Sequence, residues 1–150
     1  MDTVRMLPPV DGLVLWASDW KGGDVIYSSF PMCHGAGIIM DILMPVHYDL
    51  TCVLGPPEII ANILSIEKLV QSARINIWSM VPLLVDKLGE TPDVLDKLRS
   101  PPSRFICVSG GLVPVTSASK VNGVLRVLNL TGTTEGLFIG NLVVDRDDWS

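Results

Sequence analysis

Val124 to Gly136 reads VLRVLNLTGTTEG, an apolar run of strand type that stops in a turn of threonine and glycine and then presents a carboxylate. Val124 to Leu130 is a short strand candidate. Thr131 to Glu135 (TGTTE) packs a glycine, three hydroxyls and a carboxylate into five residues. Each part has a use in phosphate chemistry. Gly132 lets a ligand approach the backbone, the threonine hydroxyls can bond phosphate oxygens, and Glu135 offers the hard oxygen that magnesium prefers. The same residues also suit an ordinary solvent-exposed turn whose glutamate caps the segment that follows. Alone, the pattern does not separate the two readings.

Upstream, the pattern of an apolar run ending in a small-residue turn occurs twice more. Phe105 to Val108 (FICV) runs into Ser109 to Pro114 (SGGLVP), and Val25 to Ser29 (VIYSS) runs into Phe30 to Gly37 (FPMCHGAG). Adjacent Gly110 and Gly111 present only backbone, against which a flat ring can lie; a tight strand-to-helix turn needs the same residues. His34 stands at a strand end among small residues, a place where a histidine is often a hydrogen-bonded structural residue. Cys33 beside it does not make a nucleophile pair, because neighbours in an extended segment point to opposite faces.

Between these turns the remaining segments alternate in type. Helical character is expected over Gly35 to Val46, Ile59 to Gln71, Pro82 to Leu88, Asp93 to Arg99 and a turn or two of Thr116 to Val121. Strands are expected at Thr51 to Leu54, Ile75 to Trp78 and Ile139 to Val144, and Pro101 with Pro102 breaks the chain. Such alternation predicts an α/β fold, a largely parallel sheet flanked by helices. Ligands of such sheets bind beyond the carboxyl ends of the strands. That rule selects Pro31 to Gly37, Ser109 to Val113 and Thr131 to Glu135.

Composition narrows the classes. The 150 residues are 48% hydrophobic and 18% charged, with a mean hydropathy of +0.43, apolar for a free-standing domain. The most apolar run, Gly37 to Val46, is interrupted by Asp41 and Pro45 and falls short of the ~20 residues of a spanning helix, so no membrane span is expected. The N-terminus lacks the pattern of a secretory signal, which makes a cytoplasmic location the default. Cys33, Cys52 and Cys107 are widely spaced and odd in number, arguing against a disulfide framework and a zinc site. A net charge of −5 without any basic cluster disfavours nucleic acid as a partner.

In order, PMCHGAG, INIWSMVP, VSGGLVP and NLTGTTEG resemble the motifs of the adenylate-forming superfamily, which includes acyl-CoA synthetases, luciferases and nonribosomal-peptide adenylation domains. The likeness covers nearly the whole chain. It is nearest to fungal enzymes similar to nonribosomal peptide synthetases and to carboxylate reductases, as DRDDWS at Asp145 to Ser150 also suggests. The resemblance implies a piece of the large N-terminal subdomain of an enzyme that joins a carboxylate to ATP and passes the acyl-adenylate to a thiol of CoA or of carrier-protein phosphopantetheine. It implies ATP or AMP and magnesium as cofactors. Glu135 matches the magnesium-binding glutamate, Thr134 the phosphate-contacting threonine, with Thr133 assisting, and Asn129 the position that bonds the adenine edge. Gly110, Gly111 and Leu112 match the backbone strip along the nucleotide, while Thr131 and Gly132 complete the turn. Thr131 stands where the family often has a tyrosine that stacks on adenine.

The resemblance further places His34 at the mouth of the acyl pocket, and Ser79, Cys107, Ser109, Phe138 and Ile139 along its lining, although Cys107 and Ile139 also fit plain sheet core. These mostly small or apolar side chains suit an aryl or alkyl acid. PMCHGAG holds no acidic residue to fix an ammonium group, which favours an acid without an α-amino group. The family's Gly/Ser/Thr-rich loop ending in Lys, its Thr-Gly-Asp and its small C-terminal domain do not occur in residues 1–150. The expectation is therefore a partial AMP-binding domain, inactive alone, with a non-catalytic nucleotide-binding or docking module as the alternative. A lipase-like reading of His34 to Gly37 with Ser109 fails on order, since both histidines, His34 and His47, precede that serine.

Overall fold

The computed structural model describes residues 20–55 and 61–132, together with the backbone of Val14–Leu15 and Leu142–Val143. The strands are β1 (Val14–Leu15), β2 (Val25–Ser28), β3 (Thr51–Val53), β4 (Ile77–Met80), β5 (Phe105–Val108), β6 (Arg126–Asn129) and β7 (Leu142–Val143). Strands β2 to β6 form one five-stranded sheet in the order β3-β2-β4-β5-β6, and every pairing within it is parallel. The predicted α/β architecture is therefore the one observed. Some strand expectations change place: β4 begins at Ile77 rather than Ile75, β6 begins at Arg126 because Val124 still belongs to the preceding helix, and the segment near Val144 contributes β7, which pairs antiparallel with β1 as a separate ladder.

Because all five strands run the same way, their carboxyl ends lie along one edge, and the loops after them share it. Order reverses between β2 and β4, since the chain leaves β2 for β3 on one side and returns to β4 on the other. That reversal is the position where open α/β sheets place their ligand crevice.

Two apolar layers sandwich the sheet. On one face, α3 (Ile63–Ser72), α4 (Pro82–Glu90), α5 (Pro92–Leu98) and α6 (Val115–Val124) bring Ile66, Leu84, Leu88, Leu98 and Val121 onto Tyr27, Trp78, Ile106 and Val127. The opposite face receives Ile39, Met40 and Met44, which pack with Ile26, Ile77 and Phe105. The alternation of Ile77 with Trp78 and of Phe105 with Ile106 between the two layers is the period-two pattern of a strand buried on both sides.

The helical run that covers the second face is not a plain α-helix. It passes from α1 (Gly35–Gly37) through a π-helical segment, Ile38–Leu43, into α2 (Met44–Tyr48), which ends on Asp49 in the left-handed conformation. The widened turn carries Asp41, which accepts a hydrogen bond from Cys52 Sγ at 3.5 Å. Burial raises the Asp41 carboxyl above its ordinary range, and it pushes Cys52 up to about 12, with the Asp41 charge adding to the shift. Asp24 and Arg104 pair at the amino-terminal side of the sheet, where Asp24 also accepts from the Lys21 N–H at 2.8 Å.

Candidate functional site at the carboxyl edge

The loop after β2 is built by close packing. Serine hydroxyls knit it to its neighbours: Ser28 Oγ accepts from the Phe30 N–H at 3.2 Å, and Ser29 Oγ accepts from the Val81 N–H at 3.0 Å. The His34 N–H donates to the Pro31 carbonyl at 2.9 Å, closing a turn. His34 then caps the helical run, its Nδ1 accepting from the Ala36 N–H at 3.1 Å. This assigns the ring proton of the neutral imidazole to Nε2. Gly37 is required here, since a Cβ at that position would lie 2.1 Å from the Pro31 oxygen.

Phe30 joins this loop to the one after β5. Its ring stacks on the His34 imidazole with centroids 5.7 Å apart and planes at 23°. The same ring faces Gly110, where an added Cβ would sit 3.6 Å from it. Gly110 and Gly111 have φ values of +98° and +157°, in the region that favours glycine. The two glycines and Leu112 are exposed, Leu112 at 94%, so a strip of backbone lies open at the sheet edge. Beside it, Leu130 N–H donates to the Val108 carbonyl at 2.7 Å and aligns the end of β6, leaving Asn129, Thr131 and Gly132 exposed.

Ser79 and Cys107 are Cα partners in the parallel ladder, and Ser28 pairs with Ser79 on the other side. Both Ser79 and Cys107 are buried, at 1% exposure each. Cys107 belongs to the second-face core with Ile77 and Leu128, and burial drives its thiol above the ordinary range. Ser109 follows at the strand end, half-buried, its N–H reaching the Met80 carbonyl at 3.4 Å.

The sequence-selected residues thus gather on one edge: His34, Ser79, Cys107, Ser109, Gly110, Gly111, Leu112, Asn129, Thr131 and Gly132 all sit at or just beyond carboxyl strand ends. Thr133, Thr134, Glu135, Phe138 and Ile139 lie outside the described residues. Sequence reasoning missed Phe30, which bridges two of the three turns; its signal was an aromatic residue opening a turn otherwise made of small residues. Among the described residues no cluster of three or more His, Cys, Asp or Glu could hold a metal ion, and no helix is long and apolar enough to cross a membrane.

A stretch of the isocyanide synthase–NRPS hybrid crmA of Aspergillus fumigatus is 64% identical over 99% of this chain, which spans 10% of that relative's length. The N-terminal domain of FACL13 from Mycobacterium tuberculosis superposes with a TM-score of 0.72 at 21% identity, covering 88% of this chain and 33% of that one. The nonribosomal peptide synthetase FmoA3, solved with AMPPNP bound, gives 0.64 at 23% identity, covering 78% of this chain and 13% of that one. These likenesses at low identity bear on the fold. Membership rests on the sequence itself: residues 9–150 match the family described as AMP-binding enzyme, and the chain belongs to that family.

Proposed function

We propose that this chain forms the floor of the acid and adenine sites of an ATP-dependent adenylating domain that makes an acyl-AMP from an aryl or alkyl acid. The observation that carries the reading is the bridge at the switch point, where Phe30 ties His34 to the open strip at Gly110. An acid held at the His34 side and an adenine lying on the glycine backbone would be neighbours across that ring. Flat exposed backbone of this kind fits a ring face, because no side chain intervenes.

In this reading Gly110, Gly111 and Leu112 support the adenine, Asn129 bonds its edge, and Thr131 to Thr134 face the phosphates. His34 donates from Nε2 at the mouth of the acyl pocket, since its Nδ1 is already engaged. Ser79, Cys107, Ser109, Phe138 and Ile139 line the pocket. Magnesium held by Glu135 would supply charge neutralisation as the carboxylate attacks the α-phosphate. The kinship with an NRPS hybrid favours a carrier-protein thiol as acceptor over CoA. Residues 1–150 contain neither a Lys-ended Gly/Ser/Thr-rich loop nor a Thr-Gly-Asp, so the chain by itself is a partial AMP-binding domain that binds without turning over.

Calorimetry with ATP and magnesium on the wild-type chain and on Glu135→Ala tests this. Heat of binding in the wild type, weakened in the variant, is expected, with no pyrophosphate exchange from any aryl or alkyl acid. Absence of heat in both proteins overturns nucleotide binding, and clear exchange overturns the inactivity. A non-catalytic nucleotide-binding or docking module is the second reading, favoured by the same sequence gaps; it predicts binding that no added acid enhances.

A further inference from the structure

Across the sheet face beneath the helical run, the side chains change character toward the carboxyl edge. One row holds Ile26, Ile77 and Phe105; the next row on the same face holds Ser28, Ser79, Cys107 and Leu128. The smaller, more polar row lies at the switch between β2 and β4. Ser28 Oγ is used by the Phe30 N–H, and Ser29 Oγ by the Val81 N–H. Ser79 Oγ is different: it is buried, with the residue at 1% exposure, and has no hydrogen-bond partner.

A buried hydroxyl without a partner destabilises the fold relative to alanine, so its presence at the carboxyl edge of the sheet calls for a ligand that completes it. The row supplies no charged side chain, and an ionic substituent would remain uncompensated there. We propose that Ser79 selects the acid: the acyl group this site accepts carries a neutral hydrogen-bonding substituent, a hydroxyl or a keto oxygen, that meets Ser79 Oγ, rather than a bare hydrocarbon. Cys107 and Leu128 beside it pack the carbon skeleton of the same acyl group. The inference rests on the nucleotide-site reading above and narrows its substrate class.

The probes are acyl-sulfamoyl adenosines with a hydroxyl or keto oxygen walked along a short alkyl chain, each paired with its methyl isostere, and AMP alone. Binding is measured by calorimetry on the wild-type chain, Ser79→Ala and Ser79→Thr. At one position the oxygenated probe is expected to bind about ten-fold or more tighter than its isostere, as a site with a buried hydrogen-bonding group discriminates. Ser79→Ala should erase that preference and Ser79→Thr should keep it. The free Ser79→Ala chain should also unfold at a higher urea concentration than wild type, whereas a structural hydroxyl would give the opposite shift. Equal binding of every pair, or a preference that survives Ser79→Ala, overturns the proposal. So does binding of AMP with none of the acyl probes, which leaves the nucleotide site standing. Failure of AMP and of all acyl probes together removes the nucleotide reading and this inference with it.

Discussion

Gly37→Ala separates packing from helix propensity within a single helical run. A Cβ at Gly37 would lie 2.1 Å from the Pro31 oxygen and 2.7 Å from its carbonyl carbon, both well inside the 3.4–4 Å of ordinary contact, with atoms that are backbone and cannot rotate away. Relief requires the Pro31 turn to open, which sacrifices the 2.9 Å bond from the His34 N–H, worth about 1 kcal/mol. Residual overpacking adds about 1–3 kcal/mol. Against this, alanine gains about 1 kcal/mol of helix propensity over glycine. The net expectation is a loss of about 1–3 kcal/mol. With an m value of about 2 kcal/mol/M, the urea midpoint falls by about 1 M. Gly35→Ala, two residues earlier, has nothing within 4 Å of the added Cβ and should gain about 0.5–1 kcal/mol. Urea titrations of both variants, followed by tryptophan fluorescence with Trp20 and Trp78 buried, read the two shifts. The reasoning fails if Gly37→Ala is as stable as wild type, or if both variants lose stability alike.

Asp41 has a folded-state pKa raised above its unfolded value, so the folded chain holds a proton that the unfolded chain releases. Its unfavourable contribution is absent below the unfolded value of 3.8 and is fully present above the raised folded value; stability is lost as pH rises between them. Asp41→Asn should therefore raise the urea midpoint at pH 7 and flatten that part of the pH profile, and an unchanged profile would contradict the burial argument. In alkylation with iodoacetamide at neutral pH, Cys33, which is exposed, should label first. Cys52, pushed up to about 12, and buried Cys107 should label only after unfolding, which peptide mass mapping can follow. Asp24→Ala removes an ion-pair partner of Arg104 and the acceptor of the Lys21 N–H, and should cost about 1–3 kcal/mol in the same urea assay.

Legibility in the sequence followed the strength of local signals. Phe105–Val108 matches the expected strand to the residue, its four apolar residues being set off by Pro101 and Pro102 upstream and by a Ser-Gly-Gly turn downstream. Strand β4 is expected over Ile75 to Trp78 and lies at Ile77–Met80, two residues later; Asn76 just before it donates its N–H to the Val25 carbonyl at 2.8 Å, accepts from the Arg104 N–H at 2.9 Å and takes the Val25 N–H on its side-chain oxygen at 2.8 Å. Helix α6 runs ten residues rather than a turn or two. Its serine, threonine, valine and glycine residues are weak helix formers, and packing on α4 decides the outcome: a Cβ on Gly89 would come 2.7 Å from Ser117 Cα, and Ser117 Oγ donates to Asp86 at 2.6 Å. The π-helical turn at Ile38–Leu43 has no sequence signal that distinguishes it from an α-helix. At the site, the turns after β2 and β5 are legible from their residues, while Thr133 to Glu135 of the third lie outside the described residues; the Phe30 bridge and the orphaned Ser79 hydroxyl are not legible, because both depend on which strands become neighbours.

The central claim is that the carboxyl edge holds an adenylate on the backbone strip after β5. Amide chemical-shift mapping of the isotope-labelled chain during titration with ATP and magnesium addresses it directly. The account predicts perturbations concentrated at Ser109 to Leu112 and at Asn129 to Gly132, with Phe30 and His34 following through the stacked rings. Perturbations confined to α3 and α5 on the far side, or none at saturating nucleotide, would contradict it.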